Sequence, residues 1–133
     1  MAGFTFELVS PEKLLFSGDV EEVVIPGTEG DFAVLKDHAP VISALRPGIL
    51  SFKDAKGEKQ TLFVRGGFAD VSANILIVLA EQALPLADMN DQHFEHEVKL
   101  ATEELSAAQS EDARRLAAER LAQIETLRGV VRH

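Results

Sequence analysis

The chain has 133 residues, no cysteine, tryptophan or tyrosine, and 13 basic against 22 acidic side chains, a formal net charge of −9. That length suits one domain, or a small domain with an appendage, and allows roughly two-thirds of the unfolded surface to be buried. The lack of cysteine excludes disulfides, thiol catalysis and Cys-ligated zinc, and the acidic balance argues against nucleic-acid backbones and anionic lipid.

No secretory signal is expected at the start, and Met-Ala-Gly is not a myristoylation start. The longest apolar run, Ile75 to Ala80, is far short of a membrane span, so no membrane insertion is expected.

Residues 1–86 read as strands. Phe4, Phe6 and Leu8 alternate with Thr5 and Glu7, the period of a half-buried strand. Short apolar runs follow at Val23 to Ile25, Phe32 to Leu35, Ile49 to Phe52, Thr61 to Val64 and Ile75 to Ala80. Turn signals separate them at Pro26-Gly27, Glu29-Gly30, Pro47-Gly48, Asp54 to Gly57 and Gly66-Gly67. Closely spaced short strands without helical runs between them predict an antiparallel sandwich or barrel.

The pattern changes after Pro85. Phe94, Val98, Ala101, Leu105 and Ala108 form one helical stripe, and Ser110 before Glu111 and Asp112 reads as the N-cap of a second helix. Its stripe is Ala113, Leu116, Ala117, Ile124, Leu127 and Val131. A connection of a few residues forces the two helices antiparallel. The expected fold is therefore mainly β plus α: an antiparallel β-sandwich over 1–86, then an antiparallel two-helix hairpin over 87–133. Asp88 to Glu104 holds six acids and one lysine, whereas Glu111 to Arg132 holds four acids and five arginines, so the charges of the two helices favour their pairing.

Catalytic chemistry finds little support. His93 and His96 stand three apart among acids, a weak metal pattern without an HExxH context. On a wheel of about 100° per residue they fall beside Leu100, away from the Phe94 stripe. This predicts a second face packed on the sandwich. Asp37 and His38 are adjacent and would point apart on a strand; Ser43 and Ser51 lack a nucleophile elbow. Gly66-Gly67 matches no phosphate-binding loop and reads as a bend or bulge. No catalytic residue, metal or cofactor is expected, and a hydrolase built on His38 is the weakest reading. Arg120 falls within the apolar stripe of the second helix, near Val98 and Glu97. It is expected either to pair across the hairpin or to be kept for a partner when the hairpin opens.

An ordered series of short motifs runs along the first half. It comprises Val9-Ser10-Pro11-Glu12, Phe16-Ser17-Gly18, Pro26-Gly27-x-Glu29-Gly30-Asp31-Phe32, His38-Ala39-Pro40, Leu45-x-Pro47-Gly48, Gly66-Gly67-Phe68 and Val78-Leu79-Ala80. Each motif is weak alone, but in this order the set closely resembles the ε-subunit family of F-type ATP synthases, and the helical tail fits too. The resemblance implies a non-catalytic rotor subunit of the central stalk that couples proton flow through a membrane c-ring to ATP synthesis. It implies γ-subunit and c-ring partners and a peripheral place on the cytoplasmic face of the cell (inner) membrane. It also implies a tail able to extend toward the α and β subunits and obstruct ATP hydrolysis.

Carried over by position, Glu29, Gly30 and Asp31 resemble the acidic loop facing the c-ring, with His38 in the neighbouring loop; Ser10 resembles a γ-facing position. Arg114, Arg128 and Arg132 share one side of the second helix and, with Arg120, are the candidates for a regulatory tail. One departure bears on the alternative of a nucleotide-sensing module. Some members bind ATP through Ile/Leu-Asp-x-x-Arg-Ala, where this chain has Met89-Asn90-Asp91-Gln92-His93-Phe94. Without the arginine, the planar and permanently charged phosphate partner is gone, and no useful ATP binding is expected.

Overall fold

The computed structural model describes residues 3–131. Seven strands come first: β1 (Phe4–Val9), β2 (Leu14–Gly27), β3 (Gly30–Val34), β4 (Val41–Ala44), β5 (Gly48–Asp54), β6 (Lys59–Val71) and β7 (Ile75–Pro85). A 3-10 turn at Leu86–Asp88 leads to two helices, α1 (Asp91–Ala107) and α2 (Glu111–Val131). The chain divides into two compact units at Leu86 and Ala87.

In the first unit the strands run in the order β1-β7-β6-β5-β2-β3, with β4 on β6 and β1 pairing back onto β2. The pairing of β1 with both β7 and β2 closes the sheet on itself. Every pairing of named strands is antiparallel except β1–β7, which runs parallel from Thr5 opposite Ile75 to Val9 opposite Leu79. The expectation of antiparallel pairing is corrected at this one place. The cause is topological: β1, β7, β6, β5 and β2 form a ring of five, and strand directions cannot alternate all the way round an odd ring.

Two long strands change partners along their length. β2 pairs with β1 through Val20 and with β5 from there on, and its register slips between Val20 and Glu22. β6 pairs with β5 up to Val64 and with β4 from Phe68. Between them lie Gly66 and Gly67, both at positive φ. The β6–β7 register is the same on either side of this pair, so the glycines bend the strand without the extra residue of a bulge. At Gly67 a Cβ would stand 1.8 Å from the Leu79 carbonyl oxygen, so the backbones approach too closely for any side chain.

The core follows the period of two. Phe4, Phe6 and Leu8 from β1 meet Leu76, Val78 and Ala80 from β7 and Val64, Ala69 and Val71 from β6. Phe6, Phe16 and Phe52 form an aromatic triad with centroids 4.5–5.6 Å apart. The β5–β6 loop closes as a turn: Asp54 Oδ1 accepts from the amides of Lys56 and Glu58 at 2.9 and 3.0 Å. Pro26-Gly27 reads as a turn but forms the end of β2. Residues 36–39 form a turn rather than strand, with Asp37 at φ 64°.

In the second unit, Phe94, Ala101, Ala117 and Ile124 are buried along the helical stripes. Ser110 caps α2, its Oγ accepting from the Ala113 amide at 3.0 Å. Leu116, expected inside, is 43 % exposed. It lies about 100° around the helix from Ala117, beyond the narrow seam that a two-helix contact covers.

Candidate functional site

The β2–β3 connection is a hairpin of two loop residues, Thr28 and Glu29, closed by Gly27 opposite Gly30. Neither loop residue has positive φ; Gly30, at 130°, takes up the left-handed turn, and nothing lies within 4 Å of where its Cβ would be. The turn is thus both glycine-dependent and open to approach. Gly30 is followed by Asp31, whose carboxylate pairs with the Arg46 guanidinium. Glu29 is exposed, and the described residues give it no ion pair.

His38 sits in the turn after β3, half-buried, with Nδ1 2.7 Å from the Ala39 carbonyl and its ring 6.3 Å from that of Phe32. Glu29, Gly30, Asp31 and His38 line one open depression of about 610 Å3, together with Phe32 and residues of β4. The four positions singled out in the sequence therefore converge.

Ser10 stands elsewhere, at the β1–β2 turn. Its amide donates to the Lys13 carbonyl at 2.9 Å, and its hydroxyl donates to the same oxygen at 3.2 Å. It lines a smaller polar hollow of about 230 Å3 with Glu81 and Gln82.

The tail arginines separate into different roles. Arg120 pairs with Glu104 across the hairpin, about two turns nearer the loop than Glu97. Arg128 reaches Asp91 at 3.6 Å and Glu95 at 3.5 Å. Arg114 is exposed, and Arg132 lies outside the described residues. His93 belongs to the N-cap of α1, where Asn90 and His93 bond each other reciprocally. Among the described residues no three His, Asp or Glu side chains gather as a metal site.

One feature escaped the sequence reading. On the outer face of β4, β6 and β7, Ile42 is opposite Asp70, which is opposite Ile77; Ala44 is opposite Phe68, which is opposite Leu79. Ile42, Phe68, Leu79 and Ile77 are 71, 43, 37 and 36 % exposed. Val9, next to Ser10, is the β1 partner of Leu79, so this face extends to the edge that carries Ser10. Four large apolar side chains are thus exposed on this face, with Asp70 standing between Ile42 and Ile77. The signal of this face was concealed in the run Ile75 to Ala80, where inner and outer residues are equally apolar.

Comparison with known proteins identifies the family and the fold. Residues 3–86 match the model of the ATP synthase delta/epsilon chain β-sandwich domain. The ATP synthase epsilon chain of Parvibaculum lavamentivorans is 48 % identical over 126 residues, covering 95 % of this chain and 96 % of that one. That of Maricaulis maris is 44 % identical over 128 residues, covering 96 % of each. Among solved structures, a chain of the Euglena gracilis mitochondrial ATP synthase complex of OSCP, F1 and c-ring aligns with a TM-score of 0.74 at 22 % identity, over 98 % of this chain and 82 % of that one. At that identity the likeness speaks for the fold. With the sandwich matched by the family model and the relatives aligned through the helical tail, the chain belongs to the ATP synthase epsilon-chain family.

Proposed function

We propose that the chain is a non-catalytic rotor subunit in the central stalk of an F-type ATP synthase, coupling proton flow through a c-ring to ATP synthesis. The observation that carries the reading is the outer apolar row of Ile42, Phe68, Ile77 and Leu79, a surface built for a protein partner in a member of this family. The row is assigned to a γ-type stalk subunit, with Ser10 at its edge. The depression bordered by Glu29, Gly30, Asp31 and His38 is assigned to the c-ring loops. None of the described helices is long and apolar enough to cross a membrane; membership of the epsilon-chain family supports a peripheral place on the cytoplasmic face of the inner membrane.

The test is co-purification. The tagged chain is expected to retain a γ subunit from detergent-solubilised membranes and to show no ATP turnover by itself. Turnover by the isolated chain, or failure to retain γ, would count against the proposal.

A second reading, regulation of hydrolysis by the tail through the α and β subunits, has fewer groups to work with. Arg120 and Arg128 are engaged with acids of α1, which leaves Arg114 as the exposed candidate among the described residues.

A further inference from the structure

We infer that Arg46 is a positioning residue for the 27–31 turn, with Asp31 as its internal counter-ion, and that Glu29 is therefore the turn's free charge. This rests on the ring-facing reading of that turn.

Arg46 holds the turn by three separate bonds. Its amide donates to the Pro26 carbonyl at 2.9 Å, its Nε donates to the Gly27 carbonyl at 3.0 Å, and its terminal nitrogen donates to the Asp31 carboxylate. These acceptors lie on both arms of the hairpin, so one guanidinium ties the end of β2 to the start of β3. The Gly27–Leu45 bridge and the Thr28 amide on the Ala44 carbonyl, at 3.0 Å, add main-chain ties to the same segment. The arginine side chain is 22 % exposed and Asp31 57 %, so the cation is the sheltered anchor and the carboxylate folds back to it. A planar fork that serves a carbonyl and a carboxylate together is geometry that lysine reproduces only in part.

The consequence is electrostatic. Two acids in the turn suggest a doubly charged surface, yet Asp31 is compensated by Arg46, which reaches it from the β4–β5 connection. A basic loop of a partner would meet one uncompensated carboxylate, on Glu29, presented beside a glycine with open space around it.

The test uses the full chain, alone and assembled with γ on c-ring membranes. In the isolated chain, D31N is expected to raise amide exchange at Thr28 and at position 46 by about tenfold, the factor for losing one charge-assisted bond, and R46A, which also loses the bond to the Gly27 carbonyl, by at least as much. R46K is expected to recover part of the protection, and E29Q to leave it unchanged. On membranes, D31N is expected to weaken docking without altering its salt dependence, R46K to dock better than R46A, and E29Q to flatten the salt dependence. Unchanged exchange in both R46A and D31N would overturn the positioning role. A salt dependence flattened by D31N as much as by E29Q would overturn the counter-ion assignment and make Asp31 a direct contact. If docking ignores E29Q, D31N and R46A while the exchange effects appear, the positioning role stands and the ring-facing reading fails.

Discussion

Asn90 and His93 cap α1 reciprocally: the Asn90 side chain accepts from the His93 amide at 3.0 Å, and the Asn90 amide donates to His93 Nδ1 at 3.1 Å. This is a capping box with imidazole in the place usually taken by Glu or Gln. N90A is expected to cost about 1 kcal/mol of helix stability, and H93A somewhat less. Amide exchange in the first turn of α1 measures both, and H93Q, which keeps an acceptor at that position, is expected to recover most of the loss.

The same contact bears on nucleotide binding. In the resembling motif an arginine stands where this chain has His93, and here the imidazole nitrogen is occupied by the cap. A calorimetric titration with ATP is expected to show no binding in the micromolar range. Micromolar affinity that disappears in H93A would reverse this reading and favour a nucleotide-sensing module.

Gly67→Ala is expected to be among the most damaging single substitutions. The added methyl would meet the Leu79 carbonyl at 1.8 Å, on a backbone whose φ is 91°. Overpacking and left-handed strain together predict a loss of about 3 kcal/mol or more, seen as a lower urea midpoint or as insoluble protein. Gly30→Ala meets no neighbour and is expected to cost only the strain of its φ, about 1–2 kcal/mol.

Much of this architecture was legible because the inner residues alternate. Phe4, Phe6 and Leu8 announced β1, and Ser110 announced α2. What stayed hidden depends on contacts between segments distant in the chain. The parallel β1–β7 pairing follows from ring closure, which no local pattern encodes. The continuation of β2 through Pro26 and Gly27 overrides two turn-forming residues, because β3 pairs with both and Leu45 bridges to Gly27. Strand β4 is four residues long, follows Pro40, opens on two adjacent apolar residues and buries none of its side chains, so alternation had nothing to mark. At the ring-facing candidate the residue types were legible, but the neutralising partner of Asp31 was not, since Arg46 is 15 residues away.

The apolar row yields a test that separates binding from stability. Phe68 and Ile42 are exposed in the isolated chain, so F68D and I42D are expected to change its stability by about 0.5 kcal/mol or less. If the row docks a γ subunit, F68D removes a central aromatic anchor, expected to cost about 2 kcal/mol of binding. Co-purification with γ should then fall sharply while the urea midpoint of the free chain holds. Equal retention of γ by both variants would assign the row to another partner.

The ion pairs between α1 and α2 set what the tail can do. Arg120–Glu104 lies toward the hairpin loop, and Arg128 bridges Asp91 and Glu95 near the start of α1, so the seam is clipped along its length. Each partly exposed pair contributes well under about 1 kcal/mol, yet among the described residues the apolar seam they flank is narrow, with Phe94, Ala101, Ala117 and Ile124 buried. R120A/R128A is therefore expected to loosen the hairpin by about 1 kcal/mol, measured as faster amide exchange in both helices. An extended tail would have to give up these pairs before its arginines could meet acids elsewhere. If the closed hairpin prevails in the assembled enzyme, removing residues 89–133 should leave ATP hydrolysis within about twofold of the intact complex. A rise of tenfold or more on truncation, with a smaller effect in R120A/R128A, would establish an inhibitory tail and show that a partner surface outcompetes Glu104, Asp91 and Glu95 for these arginines.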